Sequence, residues 1–455
     1  HVTGVQTCAL PISLESDNIL PDECLVTEIA AGCVFSCSFC TYSLLGKKAD
    51  AYARTYESLK KQTHSLWEWI LVPNGSDDLK IPDNIMADLR VRVYPSKESN
   101  IGALKNYACT KAVGDILVEL DHDDILIPWA FERMAKKHEE QGPAFHYSDF
   151  AVFFPNGSPE IYGSGHNWKT YDFYFEGRQY VAHRCFPHLP SSLAQVYYAP
   201  NHVRAWHRDV YKNAGGHDKS MEVGDDHELI CRTYLTGAKF IHHDECLYLY
   251  RRILDPKKSN SFVKKSSEIT KIQLNTYNRY LYRLCEEWCR RENLLMVDLG
   301  GAPGAVKNYK SLDSRVADIV HNVGDGPLPF KDNSVGILRA FDFMQRVPKE
   351  KFIYFMNECY RVLAPAGWIH SATPSSDGRG GIQDPRNINY INQNSFWYYT
   401  DRNYARFVPE INCRFQAARL WTEAPTEFHK SNQMLYVFAD LCALKGQHQP
   451  GACKI

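Results

Sequence analysis

Four consecutive polar residues, Asp121-His122-Asp123-Asp124, follow directly on the apolar run Ile116–Leu120 in GDILVELDHDDILIP. Such a run reads as a buried strand, so the carboxylates emerge at its carboxyl end, the edge where open α/β sheets bind ligands. Two of them could hold Mg²⁺ or Mn²⁺, hard cations that take oxygen ligands and keep sites for a substrate diphosphate. A solvated acidic turn capping the next helix would account for the string equally well. A second acidic set, Gly224-Asp225-Asp226-His227-Glu228-Leu229, could supply a carboxylate that takes the proton of an attacking hydroxyl; an acidic helix N-terminus favoured by the macrodipole is the plainer alternative. Cys33, Cys37 and Cys40 are spaced so that three thiolates could hold three irons of a [4Fe–4S] cluster. Finally, Leu294–Leu299 runs into the glycine-rich turn Gly300-Gly301-Ala302-Pro303-Gly304, with Asp313 beyond it. Glycines let a backbone approach a ligand closely, and an acid at the next strand end can bind ribose hydroxyls.

The elements that must position these residues alternate. A helix is predicted over Tyr52–Thr63, a strand over Trp67–Val72 closed by Pro73-Asn74-Gly75-Ser76, a strand over Val91–Tyr94, a helix over Gly102–Val113, the strand Ile116–Leu120 and a helix from about Pro128. Strands alternating with helices imply a mostly parallel sheet. Between about 150 and 210 the chain is rich in Tyr, Phe, His, Pro and Gly with weak periodicity, which reads as loops and short strands over a binding face. The polar, basic stretch 252–265 and the helix-compatible Ile269–Arg291 read as a linker, after which a fresh alternating pattern begins.

At 455 residues the chain exceeds what one core usually organises, so more than one domain is expected. Its net charge of −1 gives no global field for nucleic acid or anionic membrane, and neither is expected as a partner. No apolar run is long enough to span a bilayer and the N-terminus lacks the pattern of a signal peptide, so a cytoplasmic location is expected. Fifteen cysteines, an odd and scattered set, suit a reducing compartment, and disulfides are not predicted. Composition does not address the oligomeric state.

Across residues 49–252 the chain resembles glycosyltransferase family 2. The resemblance rests on YESLKKQTHSLWEWILVPNGSDD, SNIGALKNYACTKAVGDILVELDHDD and NHVRAWHRDVYKNAGGHDKSMEVGDDHELICR, in the family's order. It implies a GT-A fold, a nucleotide-diphospho-sugar donor, Mn²⁺ or Mg²⁺, and a glycan or other hydroxyl-bearing acceptor. It places the metal and diphosphate at Asp121 and Asp123, with Asp124 as a neighbouring ligand, and the general base at Asp226, with Asp225 second and Glu228 structural. It also places Asn100, Gly102, Lys105 and Asn106 toward the nucleotide sugar. The turn that usually reads DDGS is Pro73-Asn74-Gly75-Ser76, so Asn74 alone could inherit a base contact. Arg232 could face the diphosphate or pair with an acid.

Upstream, Cys33-Val-Phe-Ser-Cys37-Ser-Phe-Cys40 resembles the cluster loop of radical S-adenosylmethionine enzymes. Those enzymes need a barrel after the motif, and here the glycosyltransferase pattern follows at once, so an iron–sulfur cofactor is not expected. Residues 14–46 read as a fragment of such an enzyme, as a native, cysteine-rich first strand in which Cys40-Thr41-Tyr42-Ser43 stands where the family has PTYN, or as a structural zinc site. Residues 1–13, HVTGVQTCALPIS, resemble translated adapter sequence and fit no later pattern.

From 294 to about 440 the chain resembles class I S-adenosylmethionine-dependent methyltransferases, through the glycine turn, ADIVHNVGDGPLPFKDNSVGILRAFDFMQRVP and RVLAPAGWIH. The resemblance implies a Rossmann-like domain over 294–455 with S-adenosylmethionine at Asp298, Gly300, Gly301, Gly304 and Asp313, joined by Asp318 and Asp342. Two departures weaken it: Gln345-Arg346 stands where an EH pair is frequent, and Asn387 where a His of the lid is usual. The two expected domains are then 47–252 and 294–455, with 253–293 as linker and helix. The function expected is an inverting glycosyltransferase with a fused methyltransferase-like domain. The alternative is a methyltransferase whose glycosyltransferase-like domain only binds glycan.

Overall fold

The computed structural model describes residues 39–43, 49–72, 81–98, 100–121, 123–162, 168–196, 199–252 and 261–446. Two compact units divide between Leu284 and Cys285. Asn74, His122, Cys33 and Cys37 lie outside the described residues.

The N-terminal unit is mixed α/β. Its elements in chain order are β1 (Phe39–Ser43), α1 (Ala49–Lys60), β2 (Trp67–Leu71), α2 (Asp83–Met86), β3 (Val91–Val93), α3 (Ile101–Lys111), β4 (Ile116–Glu119), β5 (Ile125–Leu126), α4 (Ala130–Gln141) and β6 (Ala144–Phe153). There follow β7 (Pro159–Glu160), β8 (Thr170–Phe175), β9 (Arg178–His183), α5 (Pro190–Gln195), β10 (Arg204–His207), α6 (Arg208–Asn213), α7 (Asp225–Leu235), β11 (Lys239–Arg251) and α8 (Ser261–Glu292). The sheet runs β3-β2-β1-β4-β10-β6-β11-β5. Strands β3, β2, β1 and β4 are parallel, as the alternating pattern predicted, and β10 enters antiparallel between β4 and β6. Every residue of β2, β4, β6 and β10 is buried, as expected of strands covered on both faces.

Residues 39–43 form a parallel strand paired on one side with β2 and on the other with β4. The position between β2 and β4 is thus filled by residues 39–43. The order 3-2-1-4 reverses between β1 and β4, the switch point at which sheets of this kind leave a crevice beyond their carboxyl ends.

On the pair β6–β11, His146 and His243 meet with Nδ1 and Nε2 3.1 Å apart. Burial pushes His146 down to about 3, helped by His243, and pushes His243 down to about 4. Both values lie below the unfolded value near 6.5, so the unfolded chain binds more protons whenever the pH falls below that. The stability these rings contribute is whole above pH 6.5 and is lost as the pH falls toward 4. Between pH 7 and pH 5 the pair is expected to cost the unit about 4 kcal/mol, about half from each ring. Urea denaturation at the two pH values checks this, and His243→Gln should shrink the loss by about half.

The C-terminal unit holds a seven-stranded sheet. Its strands are β12 (Leu295–Leu299), β13 (Lys310–Asp313), β14 (Ile319–Val320), β15 (Val335–Phe341), β16 (Leu363–Pro374), β17 (Phe415–Glu423) and β18 (Tyr436–Ala443), in the order β14-β13-β12-β15-β16-β18-β17. The first five are parallel, and β18 is antiparallel to both neighbours. Helix α9 (Phe352–Val362) turns Phe355, Met356, Cys359 and Val362 into a core shared with Val297, Leu338 and Ile369.

Several residues expected at a cofactor in this unit are engaged elsewhere. Residues 300–309, between β12 and β13, contain no helix. Asp298 pairs with Arg339 at 2.6 Å. A Cβ on Gly301 would lie 2.0 Å from the Asp298 carboxylate, and one on Gly300 would lie 2.7 Å from the Phe343 ring. These two glycines are therefore required by the strand's own packing. Asp318 accepts hydrogen bonds from both the backbone and the hydroxyl of Ser311, and Asp342 accepts from the Tyr436 hydroxyl. Asp313 accepts from the Arg315 backbone through one oxygen, and nothing stands within 4 Å of the Cβ position of Gly304.

Candidate active site

The acidic cluster hangs from the carboxyl end of β4. Asp121 is 7 % exposed and Asp123 is half-buried. Burial, then the charge of Asp123, pushes the Asp121 carboxyl well above its ordinary range. A cation placed between the two carboxylates would relieve this repulsion. Asp124, expected as a further ligand, is placed differently. It is fully buried, and its two carboxylate oxygens accept hydrogen bonds from the Tyr248 hydroxyl (2.6 Å) and the Arg251 backbone (2.7 Å). Its own carbonyl accepts from Thr55 on α1. Asp124 thus fastens the cluster to β11 and α1. Among the described residues no three His, Cys, Asp or Glu side chains come together as a metal-binding group, so a cation here would take its remaining ligands from substrate and water.

Opposite the cluster stands the first turn of α7, with Asp225 and Asp226 at its positive end, where carboxylates are favoured. Between them and β4 lies a buried network of charges. Glu119 receives Arg204 Nε at 2.6 Å and Lys105 Nζ at 3.3 Å. Arg204 Nη2 reaches Asp226 at 2.6 Å, while Lys105 Nζ reaches Asp225 at 3.1 Å and His217 Nδ1 reaches Asp225 at 2.6 Å. Burial opposes the charge on Asp226, but Arg204 and then Lys105 outweigh it and hold the carboxyl well below the usual range, so it is ionised. Burial likewise opposes the charge on Asp225, and Lys105, with the His217 ring hydrogen-bonded beside it, lowers the carboxyl. Asp225 is fully enclosed, and Asp226 is 3 % exposed.

The two halves of the site meet through two side chains. His202 Nε2 lies 3.9 Å from Asp121 and 3.4 Å from Arg204 Nη2. The path Asp121–His202–Arg204–Asp226 therefore links the expected metal carboxylate to the expected base.

The α3 residues expected at the nucleotide sugar are turned to another task. Asn100 caps the helix, its Oδ1 accepting from the Gly102 backbone, as an N-cap side chain should; its Nδ2 donates to Ser220 O. The Gly102 backbone donates to Met221 O, and a Cβ there would sit 1.9 Å from Asp218 O. Asn106 Nδ2 donates to His217 O. These three clamp the segment 217–221 that leads into α7, while Lys105 holds Asp225 in the first turn of α7. Arg232 pairs with Glu228 at 2.6 Å rather than facing a ligand site.

Glu119, Arg204, His202 and His217 were not anticipated from sequence. Glu119 did leave a signal, since an acid inside the apolar strand ILVEL must be buried with a counter-charge. Arg204 left none. It becomes Glu119's neighbour because β10 pairs antiparallel with β4, with Ala205 opposite Val118.

A parallel half-sheet with acids at its switch point and a carboxylate facing them defines an α/β protein that binds its ligand at the sheet's carboxyl edge. Residues 47–190 match the family model described as Glycosyl transferase family 2, and the chain carries a glycosyltransferase domain of that family across them. Over 81 residues the chain is 31 % identical to the O-antigen biosynthesis glycosyltransferase WbnJ of Escherichia coli, covering 17 % of this chain and 32 % of that protein. Over 244 residues it is 24 % identical to chondroitin synthase of Pasteurella multocida (strain Pm70), covering 50 % of this chain and 23 % of that protein. The chain therefore spans less than a third of either relative. The crystal structure of S. aureus TarS 1–349 superposes with a TM-score of 0.38 at 15 % identity, over 56 % of this chain and 72 % of that one.

Proposed function

We propose that the N-terminal unit is a GT-A glycosyltransferase that moves a sugar from a nucleotide-diphospho-sugar to a hydroxyl of a glycan or polysaccharide, with inversion. The observation that carries this is the opposition of Asp121 and Asp123 to Asp226 across His202 and Arg204. Asp121 and Asp123 would hold Mn²⁺ or Mg²⁺, which when bound offsets the charge of the leaving diphosphate. Asp226, kept ionised by Arg204 and Lys105, takes the proton of the acceptor hydroxyl as its oxygen attacks the anomeric carbon. Base and leaving group then stand on opposite sides of the sugar, and one in-line displacement inverts the anomeric centre. Asp124, Lys105, Asn100, Gly102 and Asn106 hold this frame in place.

Incubation with a panel of UDP-, GDP- and dTDP-sugars and Mn²⁺ is expected to release nucleoside diphosphate. Asp123→Ala should lower that release by about a hundredfold or more, in line with the loss of one electrostatic contact to the leaving group. No release from any donor, or equal release by Asp123→Ala, would sink the proposal. No helix among the described residues is long and apolar enough to cross a membrane.

The strand order of the C-terminal unit supports the methyltransferase resemblance. Asp298, Asp318 and Asp342 each commit one carboxylate oxygen, to Arg339, Ser311 and Tyr436, and no methyl-transfer step forms part of the proposal.

A further inference from the structure

Tyr280 lies near the middle of α8, 1 % exposed, and its hydroxyl donates to Glu228 Oε1. Glu228 is two residues beyond Asp226 on α7, itself 4 % exposed, and Arg232 Nε donates to both of its oxygens at 2.9 and 2.7 Å. The far end of the same guanidinium donates to Ala214 O and, at 2.7 Å, to Gly216 O. Gly215 and Gly216 both have positive φ, +84° and +67°. Their backbone N–H groups donate to Lys212 O and Tyr211 O at the end of α6, and the arginine adds a second hold through the carbonyls of Ala214 and Gly216. The next residue, His217, pairs with Asp225 and takes Asn106 on its carbonyl. A continuous set of contacts therefore runs from the Tyr280 hydroxyl through Glu228 and Arg232 to the loop that precedes the base.

We propose that Tyr280 is a positioning residue for the base: by fixing Glu228 it fixes Arg232, the loop 214–217 and the aim of Asp226. The proposal rests on the reading of Asp226 as base for its catalytic consequence, while its structural consequence stands alone. Asp121 and Asp123, the proposed metal carboxylates, follow β4 beside Asp124, which Tyr248, Arg251 and Thr55 tie down, and the Asp121 backbone donates to the Tyr248 hydroxyl, so donor binding does not depend on α8 through this route. The loss of Tyr280's hydroxyl should therefore appear in kcat and leave KM for the donor in place.

Two readouts on the full chain test this. In hydrogen–deuterium exchange, Tyr280→Phe is expected to speed exchange of peptides within 214–227 by roughly tenfold, the scale of one lost hydrogen bond to a charged group, with α3 and β4 unchanged. With the panel sugar nucleotide turned over fastest, kcat should fall by about tenfold with the donor KM within about twofold. Glu228→Gln, which can still accept from Tyr280 but weakens the hold on Arg232, should show the same local exchange. Unchanged exchange in 214–227, or exchange raised uniformly through the unit, overturns the proposal. If Asp226→Asn keeps full turnover, the reading of the base fails, while the exchange result still decides the positioning contact.

Discussion

Asp226→Asn is expected to lower donor turnover by about a thousandfold, the middle of the range for loss of a general base. The substitution keeps the shape of the side chain, but Asp226 gives Oδ1 to the His227 backbone and Oδ2 to Arg204 Nη2, so the amide oxygen keeps only one of the two. Arg204 keeps Glu119, and urea denaturation of the variant separates a loss of stability from the chemical loss. The measurement is steady-state kcat beside the donor KM: a fall in kcat with KM within about threefold marks an interaction made at the transition state. A loss below about tenfold would show that another group takes the proton. Asp225→Asn is expected to behave differently. Its carboxylate touches Lys105 and His217 and nothing that a substrate could reach.

Glu119→Gln is expected to destabilise the N-terminal unit by about 3–5 kcal/mol, the cost of breaking a buried ion pair by removing one partner. Glu119 touches both Lys105 and Arg204. With it neutral, one carboxylate's worth of compensation for these two buried cations is gone. Urea denaturation at pH 7 reads the loss as a shift of midpoint at constant slope. An effect under about 1 kcal/mol would mean that the network is solvated to the degree of a surface pair. Because the same cations hold Asp226 ionised, whatever folded Glu119→Gln remains should also have an altered pH profile of turnover.

Much of the N-terminal sheet was legible. The runs Trp67–Val72 and Ile116–Leu120 are apolar without alternation, which parallel, doubly covered strands require, and both became β2 and β4 within a residue. The helix α3 was placed within two residues, but the residues on it were misassigned. Asn100, Gly102, Lys105 and Asn106 were expected to face a ligand; Asn100, Gly102 and Asn106 bond the segment 217–221, and Lys105 pairs with Asp225 and Glu119. A polar side chain on a helix looks the same in sequence whether it meets a ligand or a loop from more than a hundred positions away. The position of Asp124 was misread for the same reason, since its partner Tyr248 belongs to a strand 124 residues distant. In the C-terminal unit the alternation of strands was legible, but what became of the glycine-rich turn depended on Phe343 and on the Asp298–Arg339 pair.

The sequence by itself determined which residues could do chemistry: apolar strands that end in acids, and an acidic helix start downstream of them. These features are local, because a strand's burial and a helix's first turn are written in neighbouring residues. Tertiary structure alone decided which acids are ionised, which are enclosed and which face one another. Those outcomes depend on Arg204 arriving beside Glu119 by antiparallel pairing and on Lys105 crossing from α3 to α7. Charge on a buried carboxylate is set by the cations within a few ångströms of it, and the chain brings those cations from positions that no local pattern connects.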